Sequence, residues 1–163
     1  MDKGELVPDG VTIDMVRERL HSVPRDARVV YDGFPRTVAQ AEAFDDLLRS
    51  AGRSLWGAVL LDVPHDELVS RMTERATCVN CQTVFNLRTS PPRQEGVCDR
   101  CGGRVVQRSD ESPEIIDHRL RVYEAQTKPL VDLYAKRGVL RRVDATGSLG
   151  EVEKRLLSAV GER

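Results

Sequence analysis

Aromatic residues are scarce in this chain of 163 residues, which has one Trp, three Tyr and three Phe. No apolar run approaches the roughly 20 residues needed to span a bilayer. Met1 is followed by Asp2, Lys3 and Gly4 rather than by an apolar signal core, so nothing directs the chain out of the cytoplasm. Internal repeats and low-complexity tracts are absent. Neither sign of charge dominates: 25 Lys and Arg against 26 Asp and Glu leave a net charge of -1. That balance argues against non-specific binding of nucleic acid or of a membrane surface by the whole chain. A hydrophobic content of 40% over this length fits a soluble globular protein with one core, or one domain carrying a subdomain.

Cysteine is limited to four residues, and all four fall into two pairs, Cys78-Val79-Asn80-Cys81 and Cys98-Asp99-Arg100-Cys101, sixteen residues apart. Each short loop of this kind presents two thiolates, and two such loops complete a tetrahedral zinc site. Pro91, Pro92 and Gly96 between the pairs, and Gly102-Gly103 after them, supply tight turns. Residues 77 to 110 therefore read as a small metal-held insert, with Zn2+ in a structural role because four sulfur ligands leave no open position. Two disulfides are the other reading of the same residues, and they require an oxidising compartment.

The rest of the chain alternates strands with helices. Asp9 or Thr12 is placed to cap a helix through about Leu20, on Val11, Met15, Val16 and Leu20. Arg28 to Tyr31 is a short β-rich run, broken by Asp32-Gly33-Phe34-Pro35-Arg36. Thr37 and Gln40 form a capping box for a helix to about Ser50, with Val38, Ala41, Phe44, Leu47 and Leu48 on its apolar side. Trp56 to Val63 reads as a strand covered on both faces, followed by a helix from about His65 to Ala76 that would place Arg71 and Arg75 one turn apart. Ser112-Pro113-Glu114 is a helix start. Its apolar stripe runs over Ile116, Leu120, Tyr123, Leu130, Val131 and Tyr134, is broken or kinked at Pro129, and ends at Gly138. Val139 to Asp144 is a third strand, and Ser148 with Glu151 opens a last helix. This order implies an α/β fold with a parallel sheet, and ligands of such sheets lie beyond the carboxyl ends of the strands.

Arginine supplies 21 of the 25 basic residues, and its planar fork suits phosphate oxygens. Arg36 follows a strand end, Arg71 and Arg75 lead into the cysteine insert, Arg108 leaves it and Arg119 lies on the next helix. As a set flanking one crevice and one hinged insert, they have the character of a phosphate site.

Gly-Glu-Leu-Val-Pro-Asp at 4 to 9, Asp-Gly-Phe-Pro-Arg-Thr at 32 to 37 with Gln40, the arginine before the four cysteines, and Arg108-Ser-Asp to Arg119-Leu together resemble a bacterial adenylate kinase of the zinc-lid type. The resemblance runs over essentially all 163 residues. It implies a P-loop-kinase-like parallel sheet with a small zinc-binding lid insert, and phosphoryl transfer from ATP to AMP with Mg2+ and with lid closure. It divides the chain into residues 1–76 (AMP-binding part and core), 77–110 (lid) and 111–163 (core, C-terminal part). Carried over by position, Glu5, Leu6 and Val7 line the AMP base, and Gly33, Phe34, Pro35, Arg36 and Gln40 form the rest of that pocket, with Arg36 on the AMP phosphate. Arg75 resembles the lid arginine on the ATP phosphates, Val84 and Phe85 the lid contacts to ATP, and Arg108 and Arg119 the pair clamping the phosphoryl group. Gly147 falls where backbone reads the adenine of ATP, and Cys78, Cys81, Cys98 and Cys101 are similar to the family's zinc ligands. The family suggests a monomer with nucleotide substrates and no nucleic-acid or membrane partner.

Two departures stand against this pattern. Glu74 and Ala76 flank Arg75 where the family more often has glycine and a second arginine. More consequentially, no Gly-x-x-x-x-Gly-Lys-[Ser/Thr] occurs, so the loop that cradles the ATP phosphates and its lysine are absent from these residues. Also absent are a Thr-Gly-Asp segment and the first AMP-site arginine. Met1 then corresponds to an internal methionine of a family member, and the chain to its carboxyl-terminal three quarters. A sheet without its central strand has two unpaired inner edges, so the expectation is a chain poorly stable and close to inactive alone, with a truncated gene as the simplest origin. A second reading is a zinc-ribbon module without catalysis that binds nucleotide or nucleic acid through Arg88, Arg93, Arg100 and Arg104, accompanied by one aromatic, Phe85. A third is a related kinase that acts on another nucleoside monophosphate.

Overall fold

The computed structural model describes residues 5–107 and 112–161; Gly4, read as a helix end, and Arg108 lie outside them. In chain order the elements are α1 (Asp9–Ser22), α2 (Val38–Ser50), β1 (Ala58–Asp62), α3 (His65–Thr73), β2 (Arg75–Cys78), β3 (Val84–Asn86) and β4 (Val105–Val106). They continue with α4 (Pro113–Val122), a π-helical turn over Tyr123–Thr127, α5 (Pro129–Lys136), β5 (Leu140–Asp144) and α6 (Leu149–Val160). The fold is α/β with a parallel strand pair, and none of the described helices is long and apolar enough to cross a membrane. The chain divides into two compact units, one of Val63–Leu120 with Glu5, the other of Leu6–Asp62 with Arg121–Arg163.

The second unit holds the parallel pair, β1 with β5, in register from Ala58 opposite Leu140 to Asp62 opposite Asp144. Helix α2 packs on it through Ala41, which meets Leu130 and Tyr134 of α5, while the Arg137–Asp45 ion pair at 2.7 Å ties the same two helices. The other face of α2 buries Phe44 and Leu48 against Val16 and Leu20 of α1. There Tyr31, Phe34 and Phe44 form an aromatic cluster with centroids 4.9 to 6.1 Å apart. Three of the seven aromatic residues are thus spent on anchoring the segment before Arg36.

Several local expectations are corrected. Arg28 to Tyr31 forms no strand, because a strand needs a neighbour for its backbone groups and none of the described residues pairs with it. Strand β1 is not covered on both faces: Leu61 is 51% and Trp56 54% exposed. The sheet therefore has two strands in place of three. Helix α1 has Pro8 at its N-cap with no side-chain bond, so neither Asp9 nor Thr12 caps it. By contrast Pro129 interrupts the helix as expected: the ladder widens into the π turn just before it, since proline has no N–H to continue the i to i−4 pattern. Gly138 ends α5 at φ 69°.

In the first unit, α3 stops at Thr73 and Arg75–Cys78 runs as a strand, pairing antiparallel with β3 on one side and β4 on the other. Arg71 and Arg75 are therefore not neighbours on a helix. The hairpin partner wins because Arg75 to Thr77 find ladder bonds opposite Asn86 to Val84. Arg71 is paired with Glu67 one turn back on α3.

Candidate metal centre and nucleotide-binding residues

The two cysteine loops are built alike. Cys78 opens one, and its carbonyl receives the N–H of Gln82 at 3.0 Å; Cys98 opens the other, and its carbonyl receives the N–H of Gly102 at 2.8 Å. Both returns need a left-handed residue, Gln82 at φ 58° and Gly102 at φ 71°. Glycine at 102 is legible in the sequence, whereas Gln82 gave no warning. Gly103 is required by proximity: a Cβ there would lie 2.6 Å from the Asn80 side-chain nitrogen of the other loop.

All four Sγ atoms lie within 4.8 Å of one another, with Cys78 to Cys101 at 3.5 Å and Cys81 to Cys98 at 3.6 Å. The thiols are free, which removes the disulfide reading. A tetrahedral ion with bonds of about 2.3 Å holds its sulfurs about 3.8 Å apart, so the cluster has the dimensions to bind one metal ion. Its electrostatics point the same way. The Thr83 hydroxyl and then its backbone N–H favour the Cys81 thiolate and bring that thiol down to about 6. Cys101 is pushed up to about 12, because bonds from the neighbouring thiols outweigh the Gly103 amide that favours its thiolate. Four thiolates this close repel one another unless a cation lies among them. Behind the sulfurs, Ala76, Phe85 and Val105 form the rest of this buried cluster.

Among the other residues assigned to the lid, Phe85 is buried in that core while Val84 is 60% exposed. Arg75 begins β2, and Arg119 lies on α4. Glu5 takes a contact of 2.8 Å to the His118 ring. Arg88 is held by Glu74 at 2.9 Å and by the Ser70 hydroxyl, so it is committed to bracing α3 against the hairpin.

In the second unit Gly33, Phe34, Pro35, Arg36 and Gln40 are brought into one turn at the start of α2. Gly33 has φ 69° and the Phe34–Pro35 bond is cis. The Arg36 Nε donates to the Gly33 carbonyl at 2.7 Å, its backbone N–H donates to Gln40 Oε1 at 2.7 Å, and its carbonyl receives the Thr127 hydroxyl at 2.8 Å. Among the described residues the terminal nitrogens of the guanidinium have no hydrogen-bond or ion-pair partner. Thr37 caps α2 by accepting from the Gln40 N–H, but the Gln40 side chain reaches the Arg36 amide instead of the Thr37 amide, so the box is only half formed. Gln40 Nε2 donates to Asp9 Oδ1 at 2.8 Å and Thr37 donates to Asp9 Oδ2 at 3.0 Å. Sequence reasoning missed Asp9 and Thr127 in these roles; their partners are 28 to 91 residues away.

Gly147, at φ 90°, lies in the loop leaving the carboxyl end of β5. Ala145 N–H joins that loop to the Asp62 carbonyl at the end of β1, at 2.9 Å. Arg155 of α6 donates to the carbonyls of Asp144 at 2.7 Å and Thr146 at 2.8 Å. The capping box expected of Ser148 and Glu151 is present in full. Leu6 and Val7 are half-buried in the segment before α1.

Comparison with known proteins gives one answer. The adenylate kinase family model matches residues 1–139. The adenylate kinase of Carboxydothermus hydrogenoformans is 49% identical over 152 residues, covering 93% of this chain and 71% of that protein. That of Syntrophobacter fumaroxidans is 44% identical over 161 residues, covering 99% and 76%. The adenylate kinase of Acidothermus cellulolyticus is 46% identical over 160 residues, covering 98% and 74%. With that similarity along the chain, and with the cysteine cluster and the Arg36 turn in place, the chain belongs to the adenylate kinase family, nucleoside monophosphate kinases that transfer a phosphoryl group.

Proposed function

We propose that the turn Gly33–Arg36, with Gln40, Leu6, Val7 and Glu5, takes AMP as phosphoryl acceptor, and that the cysteine insert is a lid over ATP. The observation that carries this reading is the fastening of Arg36. Its backbone is bonded on both sides and its Nε is fixed to Gly33, which leaves the outer nitrogens of a pre-positioned fork for phosphate oxygens. Phosphoryl transfer asks a protein mainly for positioning and positive charge. Arg75, Arg108 and Arg119 supply that charge to the transferred group, Val84 is the exposed lid side chain that meets ATP, and backbone around Gly147 reads the ATP adenine. Gly-x-x-x-x-Gly-Lys-[Ser/Thr] does not occur in the 163 residues, so the residues assigned here are those of the AMP pocket, the lid and the C-terminal core.

Zn2+ is the metal best suited to four sulfurs at these separations, and it cross-links the lid without an open coordination position. Mg2+ enters with ATP and neutralises its phosphate charge. The workplace of such an enzyme is the cytoplasm and its partners are small molecules. The test is calorimetric titration of the chain with AMP, for wild type and for Arg36→Ala. Loss of a charge-assisted fork predicts weakening of roughly tenfold or more. Equal affinity for the two proteins removes Arg36 from the site.

A further inference from the structure

Gln40 is 2% exposed, and an amide so deeply placed must account for both its hydrogens and its lone pairs. Its oxygen accepts from the Arg36 N–H at 2.7 Å while its nitrogen donates to Asp9 Oδ1 at 2.8 Å. The second Asp9 oxygen accepts from the Thr37 hydroxyl at 3.0 Å, and that hydroxyl oxygen accepts from the Gln40 backbone N–H at 3.1 Å. Asp9, Thr37 and Gln40 thereby close a ring of hydrogen bonds. Turning the amide by half a revolution sets its NH2 against the Arg36 N–H and its oxygen against a carboxylate. An ionised carboxylate has no hydrogen with which to repair the second mismatch.

We propose that Asp9 is a positioning residue for nucleobase selection: it holds the Gln40 amide in the one orientation that suits a 6-aminopurine and opposes a 6-oxopurine. One amide hydrogen and one oxygen lone pair remain after the ring is closed. A 6-aminopurine offers an acceptor at N1 beside a donor at its amino group, the complement of that pair. A 6-oxopurine offers the reverse and needs the forbidden rotation. The proposal rests on the reading of Gln40 as part of the base pocket, and it explains what Asp9 does when it caps no helix.

The experiment titrates the full chain with AMP and with inosine monophosphate, which differs from AMP only at N1 and C6. Wild type, Gln40→Ala, Asp9→Asn and Asp9→Ala are compared. An asparagine can present its NH2 to the rotated amide oxygen, which removes the mismatch at position 9 and leaves only the one with the Arg36 N–H. In D9N the preference for AMP therefore narrows, by up to roughly tenfold, chiefly through a gain for the 6-oxo nucleotide. An unchanged ratio in a folded D9N protein overturns the role of Asp9. If wild type binds neither nucleotide, or Q40A binds AMP as wild type does, the pocket reading fails and the inference fails with it. A readout independent of ligand and variant folding is the Gln40 side-chain amide in the NMR spectrum of wild type. Two well-separated, slowly exchanging amide protons are expected, and a rapidly exchanging pair overturns the lock.

Discussion

Arg36 depends on a residue that has no side chain. At φ 69° Gly33 occupies the left-handed region, and a Cβ there would come within 2.8 Å of the Arg36 terminal nitrogen. Gly33→Ala is therefore expected to destabilise the turn by about 1 kcal/mol through its backbone alone, and to displace the guanidinium as well. Thermal melting reads the first effect and AMP titration the second. Because the contact is with the flexible end of a side chain, the affinity loss should exceed what the stability change accounts for. An alanine variant that binds AMP as tightly as wild type contradicts the proposed role of Arg36 at the AMP phosphate. At this scale sequence reading and structure part company over distance. Thr37 as a cap was legible because its partner is three residues on, and the cysteine quartet because its spacing is local. Asp9 was assigned to a cap next to it, since nothing in one sequence announces a partner 31 residues away.

Individual elements were most legible where their ends carry chemistry. Helix α6 begins at a full capping box, and α2 and α5 end where Ser50 and Gly138 were expected to close them. The misreadings fall where the outcome depends on a neighbour. Arg28 to Tyr31 has strand residues but no ladder, and Arg75 to Ala76 continue a helical pattern but are captured by β3. The α6 start also makes a pH prediction. The Ser148 hydroxyl and then its backbone N–H hold the Glu151 carboxyl below its usual range, and the Thr146 backbone and hydroxyl do the same for Asp144. A carboxyl depressed in the folded state contributes stability above its unfolded value of about 4 and loses it as pH falls through the lower folded value. Stability of α6 should thus be flat above pH 5 and decline below about 4. In Glu151→Gln, which cannot ionise, that acid decline should be shallower, as followed by amide exchange of α6 against pH. Identical acid profiles in the two proteins leave Glu151 without this role.

For the whole molecule, each unit carries its own core, and the two differ in what holds them. The second unit rests on two apolar clusters built on α2, from Phe44 and Leu48 on one side and Ala41 with Leu130 and Tyr134 on the other. In the first unit the core cluster is Ala76, Cys78, Phe85, Cys98 and Val105 with Cys81, so half of its members are cysteines of the candidate metal centre. A metal ion held by the four cysteines would stabilise so small a core, because metal binding there is folding free energy. The aromatic residues make the difference measurable. Trp56 and all three Tyr fall within Leu6–Asp62 and Arg121–Arg163, and Phe85 is the first unit's one aromatic, so intrinsic fluorescence reports the second unit alone. Chelation of a metal-loaded sample should erase the amide protection of β2, β3 and β4 while leaving the urea midpoint seen by Trp56 fluorescence within the scatter of replicates. Reloading with Zn2+ should restore the protection, and Cys81→Ser should fail to recover it. A fluorescence midpoint that falls together with β2 protection would show that the ion stabilises both cores, and that its effect is not confined to the first unit's cluster.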